Sequence, residues 1–189
     1  MRPIEPKLLH GATFLELMIV VLLVGVITSI AAPTFGNLII TTKISQATSA
    51  LHASLLFARS EALKRGRNVV ICRSVNPSAI APSCATAPGA GWGQGWIIYV
   101  DEDENKKFTN ADILIRMQDA IFSKEAQGNI TSSPSRNYIS YNPTGQTFGS
   151  FIRFTIRRPE NDTNTSHDKF ICIASGGRAR VDNDTCSSK

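Results

Sequence analysis

Two arginines near the C-terminus have the type and spacing needed to bind phosphate groups. Arg178 and Arg180 follow Gly177 and lie between Cys172 and Cys186. Residues two apart in an extended chain project to the same side, and guanidinium groups bind phosphate oxygens through paired hydrogen bonds. The glycine lets the backbone approach a ligand closely. The pattern therefore indicates a loop that can bind a polyanion through its phosphates.

The same arginines also have a structural interpretation. An arginine at a sheet edge discourages edge pairing and forms ion pairs with nearby carboxylates, here those of Asp182 or Asp184. If the loop does bind a polyanion, other basic side chains are expected to extend it, namely Arg153, Arg157, Arg158, Lys169, Arg136 and Lys189. Such contacts would be made to phosphate and would be indifferent to base sequence.

A second group of side chains has the spacing of a calcium-binding loop. Its oxygen ligands fall at the first, third, fifth, ninth and twelfth positions, which are Asp101, Asp103, Asn105, Thr109 and Asp112. Lys106 replaces the glycine that makes the sharp turn in such loops, and Lys107 adds positive charge. A polar turn between two strands explains the segment as well, so no metal or other cofactor is predicted.

The remaining reactive residue types give no indication of catalysis. His52 and His167 have no nucleophile motif nearby, and we interpret them as a helix-surface residue and a loop residue. Trp92 and Trp96 flank a glycine-rich turn and could stack on bases, although Trp96 belongs to a predicted strand and core packing is favoured for both. The sequence therefore predicts a binding or structural protein and not an enzyme.

An apolar run near the N-terminus predicts how the chain that carries these candidate sites is anchored. Residues 14–32 are almost wholly apolar, close to the roughly 20 residues that span a bilayer, and Pro33 follows them. Glu16 interrupts the run, and a carboxylate at that depth costs on the order of 2.5 kcal/mol unless it is paired. Cleavage after Gly11 would keep the helix and create an amino group on Ala12 that can neutralise Glu16. We predict a leader at 1–11 and a transmembrane half-helix at 12–32.

Beyond this run the helix is predicted to continue as an amphipathic segment at 33–66. Apolar residues recur there at spacings of three and four, namely Ile44, Ala47, Leu51, Leu55, Ala58 and Ala62. Gly66 is expected to end the helix, with Lys64 and Arg65 in the last turn, where cations complement the helix dipole.

A single globular, β-rich domain is predicted at 67–189. Short β-branched and aromatic runs separated by Gly, Pro, Asn and Asp predict antiparallel strands at 69–72, 96–100, 113–117, 138–141, 151–156 and 170–174. In the fifth run, alternation places Ile152, Phe154 and Ile156 toward the core and Arg153 and Arg157 toward solvent. The fold class is therefore α+β.

The four cysteines all follow the apolar run. Basic residues in the leader keep the N-terminus in the cytoplasm, so the cysteines face an oxidising compartment and two disulfides are expected. Three pairings are possible, and the simplest joins neighbours, Cys72 with Cys84 and Cys172 with Cys186. A zinc site is disfavoured because the cysteines do not form paired CxxC motifs. The formal charge of +5 allows a polyanionic partner without requiring one.

The N-terminal residues resemble the class III signal of type IV pilins and pseudopilins. Gly11 matches the glycine before the cleavage point, Glu16 the glutamate five positions after it, and Pro33 the helix-kinking proline. Ala12 departs from the phenylalanine with which most pilins begin, which leaves N-methylation open. The resemblance implies a prepilin peptidase, an inner-membrane anchor with a periplasmic domain, and later assembly with other major and minor pilins.

The rest of the chain is similar to the FimT and GspH family of minor pilins and pseudopilins, and most similar to FimT. The matching segments are SEALKRGRNVV at 60–70, GWIIYVD at 95–101, YNPTG at 141–145 and GRARV at 177–181. The resemblance implies a spine helix packed on two antiparallel sheets, which is the type IV pilin-like fold.

The resemblance also suggests a function for the C-terminal loop. FimT-type minor pilins carry a GRxR motif implicated in DNA binding, which Gly177, Arg178 and Arg180 match. The resemblance therefore implies non-specific binding of double-stranded DNA for uptake in natural transformation. Two alternatives stay open: a structural minor pilin that primes pilus assembly, and a GspH-type pseudopilin of type II secretion, because GspH-type proteins end in related segments.

Overall fold

The computed structural model describes residues 13–86, 91–122, 127–149, 151–158, 168–183 and 186, with the backbone alone for residues 30–35 and 37. Gly11 and Ala12, at the expected cleavage point, lie outside these residues, as do His167, Asp184 and Lys189. One long helix precedes all the strands. It is α1 (Phe14–Arg65), followed by β1 (Val69–Arg73), a 3₁₀ turn (Trp92–Gln94), β2 (Trp96–Val100), β3 (Ile113–Gln118), β4 (Asn129–Ser133), β5 (Tyr138–Tyr141), β6 (Ile152–Arg157), β7 (Lys169–Ile173) and β8 (Ala179–Asp182).

The start of α1 is a capped helix terminus. The backbone N–H of Glu16 donates to Thr13 Oγ1 at 3.2 Å, and the N–H of Leu17 donates to Thr13 O at 3.2 Å. A threonine followed three residues later by a glutamate is the pattern of a capping box, and a carboxylate in the first turn complements the helix dipole. Glu16 therefore has a local structural role that the sequence analysis did not assign, although the pattern was visible in the sequence.

The chain divides into two compact units, Met1–Ile39 and Ile40–Lys189. In the first unit, α1 exposes large apolar side chains, from Phe14 at 74% exposed to Ile27 at 66%. Within the described part of the chain, no helix has both the length and the apolar character that crossing a membrane requires.

In the second unit, α1 buries one apolar stripe. Ile44, Ala47, Leu51, Leu55, Ala58 and Ala62, the six residues expected on this face, are all at most 1% exposed. The helix ends at Arg65, and Gly66 has a φ of +63° and donates its N–H to Ala62 O at 3.0 Å. This left-handed terminal glycine is the predicted helix stop, which the structure confirms.

Two antiparallel sheets complete the second unit. Sheet A has the strand order β3-β2-β1-β5, and sheet B has the order β4-β6-β7-β8. The six predicted strands are present, with ends that differ by no more than one residue. Strands β4 and β8 were not predicted, because each is a short edge strand with few apolar residues, NITSS and ARVD. Their extended conformation depends on pairing with β6 and β7.

The helix stripe and the inner faces of both sheets form one hydrophobic core. Ile152, Phe154 and Ile156 are at most 2% exposed, as the alternation in this strand predicted. Trp92 packs edge-on against Phe154 with ring centroids 5.1 Å apart, and its Nε1 donates to Arg136 O at 3.0 Å. Trp92 and Trp96 are both buried. Neither tryptophan is available to stack on a base, so the packing interpretation is correct.

The outer face of sheet A carries a second, smaller apolar cluster. Val70, Cys72, Ile97 and Tyr99 are fully buried there, packed against Cys84 and Phe108 and against Leu114 of the neighbouring strand β3. Cys72 is joined to Cys84, so a disulfide holds part of this cover against β1. The second disulfide joins Cys172 in β7 to Cys186 beyond β8. Both pairs are the local ones that the sequence favoured.

Candidate functional site

The turn between β7 and β8 presents the arginines of the GRAR segment. Gly177 has a φ of +75° and donates its N–H to Ala174 O at 2.8 Å. A Cβ at Gly177 would lie 2.0 Å from the carbonyl oxygen of Gly145, which is backbone and cannot rotate away. Only glycine fits at this position, since both the φ and the approach of Gly145 exclude a side chain.

Side chains from two other segments hold this turn in place. Arg59 Nη2, from α1, donates to Gly176 O at 3.1 Å. Thr147, after β5, donates its N–H to Ser175 O at 3.2 Å and its hydroxyl to Ala174 O at 3.3 Å. The sequence gave no indication of these long-range contacts, because Arg59 and Thr147 are distant from the turn along the chain. They make the turn a fixed platform for Arg178.

His52 also contacts this region. Its Nε2 lies 3.3 Å from Ala179 O, and the side chain is partly buried against the first residue of β8. The prediction of a helix-surface histidine was therefore wrong, and the physical reason is that β8 packs over that position of α1. The contact is between a ring nitrogen and a backbone carbonyl, which is structural.

The strand register places some of the expected basic residues on one face. Arg180 lies opposite Cys172, and Cys172 lies opposite Arg153, so Arg153 and Arg180 share the outer face of sheet B. Because neighbouring strands are about 4.8 Å apart, the two Cα atoms are separated by roughly 10 Å. Arg178 is exposed and Arg180 is half-buried. Arg157 lies on the same face by alternation along β6.

Other basic residues lie away from that face. Arg158 is only 7% exposed, so it cannot extend a surface patch as expected. Lys169 pairs with Ile156, whose side chain enters the core, and its Nζ donates to Asn183 Oδ1 at 2.6 Å. Arg157 does lie on the outer face, but its Nε is 3.5 Å from Asp168 Oδ2, so its charge is paired there. Asp182 shares the outer face with Arg180. It is therefore still a candidate ion-pair partner for that arginine, as the structural interpretation expects.

The loop between β2 and β3 brings the acidic residues together. Asp101, Asp103 and Asp112 each offer a carboxylate oxygen, and these three atoms lie within 4.8 Å of one another. Asn105 Nδ2 donates to Asp103 Oδ2 at 2.6 Å, and the Thr109 hydroxyl donates to Asp112 Oδ2 at 3.1 Å. All five residues of the calcium-type spacing therefore take part in one polar cluster.

Asp101 lies at the buried end of this cluster. Its Oδ2 accepts the N–H of Lys106 at 3.1 Å, whereas its buried Oδ1 has no hydrogen-bond partner, and the residue is 2% exposed. Burial raises the pKa of the Asp101 carboxyl, the Lys106 hydrogen bond opposes that shift, and the nearby carboxylates of Asp112 and Asp103 raise it further. Burial, together with Asp101, also raises the pKa of the Tyr99 phenol.

Comparisons with known proteins agree with this architecture. Residues 47–177, well over half of the chain, match the family model described as type II transport protein GspH. The chain therefore belongs to the GspH family, whose members are pilin-like structural proteins and not enzymes. No curated protein sequence matches the chain.

Solved structures of a Pseudomonas aeruginosa PAO1 protein, the type IV minor pilin FimU, have a similar fold. One crystal form aligns with a TM-score of 0.55 at 19% identity and covers 75% of this chain and 89% of FimU. A second form aligns with a TM-score of 0.53 at 19% identity and covers 73% and 91%. The α+β, type IV pilin-like fold predicted from the sequence is thereby confirmed.

Proposed function

We propose that this protein is a minor subunit of a pilin-like filament and that it binds double-stranded DNA through the β7–β8 turn. A prepilin peptidase would cleave after Gly11, residues 12–32 would anchor the chain in the inner membrane, and the domain would first face the periplasm. The apolar side chains that α1 exposes between Phe14 and Ile27 support packing against lipid and then against other pilins. Assembly would carry the domain to the cell surface.

The fixed geometry around Arg178 is the observation that carries the DNA-binding proposal. Its guanidinium is exposed on a turn that Gly177, Arg59 and Thr147 hold rigid. Because the backbone of the turn is already fixed, only the Arg178 side chain has to lose conformational entropy when it binds phosphate. Arg180 and Arg153 add charge on the neighbouring sheet face, which favours a backbone-directed, sequence-independent contact.

The test is a titration of the full-length chain in detergent with duplex DNA at several salt concentrations. The double variant Arg178→Gln, Arg180→Gln is compared with wild type. Loss of two phosphate contacts is expected to make the plot of log K against log[salt] less steep, with a slope smaller in magnitude by about 2. Binding at low salt should weaken by at least about tenfold. Two duplexes of unrelated sequence should bind alike.

Arg116→Gln is a matched control, because Arg116 is an exposed arginine in sheet A that stacks over the Phe57 ring at 5.2 Å. It should leave both the affinity and the salt slope unchanged. If wild type does not bind DNA even at low salt, or if the double variant binds equally well, the turn has no role in DNA binding.

The GspH match supports a second candidate, a minor pseudopilin of a type II secretion system. In that role the partners would be other pseudopilins or a secreted protein, and the arginines would form ion pairs within the filament. Deletion of the gene separates the two functions: a loss of transformation with normal secretion supports DNA uptake, whereas a loss of secretion supports the pseudopilin. A structural minor pilin that primes assembly would instead show loss of pili without any DNA binding in the titration.

A further inference from the structure

We propose that the β2–β3 loop, residues 101–112, binds a calcium ion between the carboxylates of Asp101, Asp103 and Asp112. The three carboxylate oxygens lie within 4.8 Å of one another. Oxygens about 2.3–2.6 Å from a common centre lie within this range of one another, and Ca²⁺ binds carboxylate, carbonyl and hydroxyl oxygens at that distance. This site is separate from the arginine turn and does not depend on DNA binding.

The unpartnered carboxylate oxygen of Asp101 points to a ligand. Asp101 Oδ1 is buried, accepts no hydrogen bond, and belongs to a residue that is 2% exposed. A buried carboxylate oxygen that loses its water without gaining a donor is unfavourable. Because Asp103 and Asp112 each place a carboxylate oxygen within 4.8 Å of one from Asp101, a cation among them would give the Asp101 carboxylate the partner it lacks and offset the mutual repulsion of the three groups.

The remaining ligands are already near the cluster. Asn105 and Thr109 hydrogen-bond to Asp103 and Asp112, so both side chains are close enough to exchange those bonds for a metal contact. In loops with this spacing, the seventh residue contributes its backbone carbonyl, which is that of Lys107 here. The ligand set is then three carboxylates, an amide oxygen, a carbonyl and a hydroxyl, to which water can add.

Lys106 does not disqualify the loop. Lys106 has a φ of +61°, so it adopts the left-handed conformation that glycine supplies at the sixth position of such loops. Its ammonium lies 5.2 Å from the ring centroid of Phe148, where the aromatic face accommodates the charge. Of the two sequence objections to calcium, the one that rested on the residue type at this position is removed by the backbone conformation, whereas the positive charge of Lys107 still opposes cation binding.

Calcium would fix the cover of sheet A. The loop begins at Asp101, directly after β2, and ends at Asp112, directly before β3. Between them Phe108 packs on Tyr99 with ring centroids 5.2 Å apart. A metal that joins both ends of the loop would hold Phe108 over the outer face. With aspartate in place of glutamate at the twelfth position, we expect a Kd of about 10⁻⁴ M, in the range of extracellular modules.

The test is thermal unfolding of the full-length chain in detergent, first with a chelator and then with calcium chloride. At about 10 mM calcium, roughly 100 times the expected Kd, wild type should show a Tm higher by about 5 °C. Terbium luminescence provides a second readout that does not depend on stability. Tb³⁺ occupies calcium sites, and Tyr99, two residues before Asp101 in the chain, can transfer excitation to it.

Asp103→Asn is the informative variant, and Glu104→Gln is its matched control. Both remove one negative charge from the same loop, but Glu104 is exposed and lies outside the ligand positions. Asp103→Asn should fold at least as stably as wild type without calcium, because repulsion falls, and should weaken both the calcium shift and the terbium signal, because the amide keeps an oxygen ligand but removes one negative charge. Glu104→Gln should keep both.

Three outcomes would overturn the proposal. Wild type without a calcium-dependent Tm rise and without terbium luminescence has no site. Equal responses of Asp103→Asn and Glu104→Gln would show that general charge screening causes the shift. An equal rise with magnesium would exclude a calcium-selective loop, because Mg²⁺ requires a tighter, nearly octahedral set of ligands.

Discussion

The two sheets share one core but differ on their outer faces. Sheet A presents Val70, Cys72, Ile97 and Tyr99 outward, and each is fully buried beneath loops. Sheet B presents mainly polar side chains outward, namely Arg153, Thr155, Arg157, Arg180 and Asp182, together with Phe170 and the disulfide-bonded Cys172. Of these, Thr155 and Cys172 are buried. An apolar outer face must be covered, whereas a polar one can stay in contact with solvent.

This difference explains where the two candidate sites lie. On sheet A, the chain uses the segment bonded through Cys84 and the 101–112 loop to cover the outer face, and the acidic cluster is part of that cover. On sheet B, the β7–β8 turn presents Arg178 beside a face that already carries Arg153 and Arg180. The candidate cation site therefore belongs to a covering loop, and the candidate anion site belongs to an exposed turn.

The comparison predicts a large stability difference between outer-face substitutions in the two sheets. Ile97→Ala on the outer face of sheet A should cost about 2–5 kcal/mol of unfolding free energy, as should Ile98→Ala on its inner face, because both side chains are fully buried. In sheet B, Ile171→Ala on the inner face should cost a similar amount. Phe170→Ala on the outer face should cost only about 1–2 kcal/mol, because Phe170 is half-buried. Chemical denaturation of the four variants measures this directly.

Each sheet supplies its own control, because the outer position and the inner position are neighbours in the chain: Ile97 and Ile98 in sheet A, and Phe170 and Ile171 in sheet B. A mild effect for Ile97→Ala would mean that the outer face of sheet A is accessible in solution and that its cover opens. A cost for Phe170→Ala equal to that of Ile171→Ala would mean that the outer face of sheet B is buried as well, which would contradict the comparison.

The arginine turn gives a second, smaller expected effect. Gly177→Ala should destabilise the protein by about 2–3 kcal/mol, because alanine is strained at a φ of +75° and its Cβ would meet Gly145 O. Gly176→Ala is the control, since a Cβ at Gly176 has no atom within 4 Å. Thermal unfolding of both variants separates the two positions.

The same two variants sharpen the DNA-binding proposal. Gly177→Ala should also weaken DNA binding, because the turn must shift to accommodate the side chain, whereas Gly176→Ala should not. If Gly177→Ala is as stable as wild type, the close approach of Gly145 does not constrain the turn, and the rigidity assigned to Arg178 is wrong.

Most of the fold was predictable because its signals are local and periodic. The apolar stripe from Ile44 to Ala62 predicts the buried face of α1, and the alternation around Phe154 predicts the buried face of β6. Both signals can be read without knowing the rest of the fold. Strands β4 and β8 were missed because their sequences carry no such period, and only pairing with β6 and β7 makes them strands. Tertiary context decides these edge elements.

The candidate sites were predictable only as sets of residue types. Spacing identified the GRAR segment and the acidic loop, but which side chains meet depends on register and on long-range contacts. Lys169 points to the core side and Arg158 is buried, so neither adds to the patch as expected. Conversely, the left-handed backbone at Lys106 and the contact of Arg59 with Gly176 could not be deduced from residue type or spacing.

The smallest expected effect concerns charges on the outer face of sheet B. Arg157 pairs with Asp168 at 3.5 Å; the Asp168 side chain is only 9% exposed, but the Arg157 side chain is 66% exposed, so solvent screens the pair and it contributes about 0–1 kcal/mol. Arg157→Gln should therefore change the unfolding free energy by less than about 1 kcal/mol, and still less at high salt. If this face binds DNA, the same variant should lower the salt slope by about 1 with unchanged stability. A variant that unfolds readily but binds DNA normally would show that Arg157 belongs to the structure of the sheet and not to a binding surface.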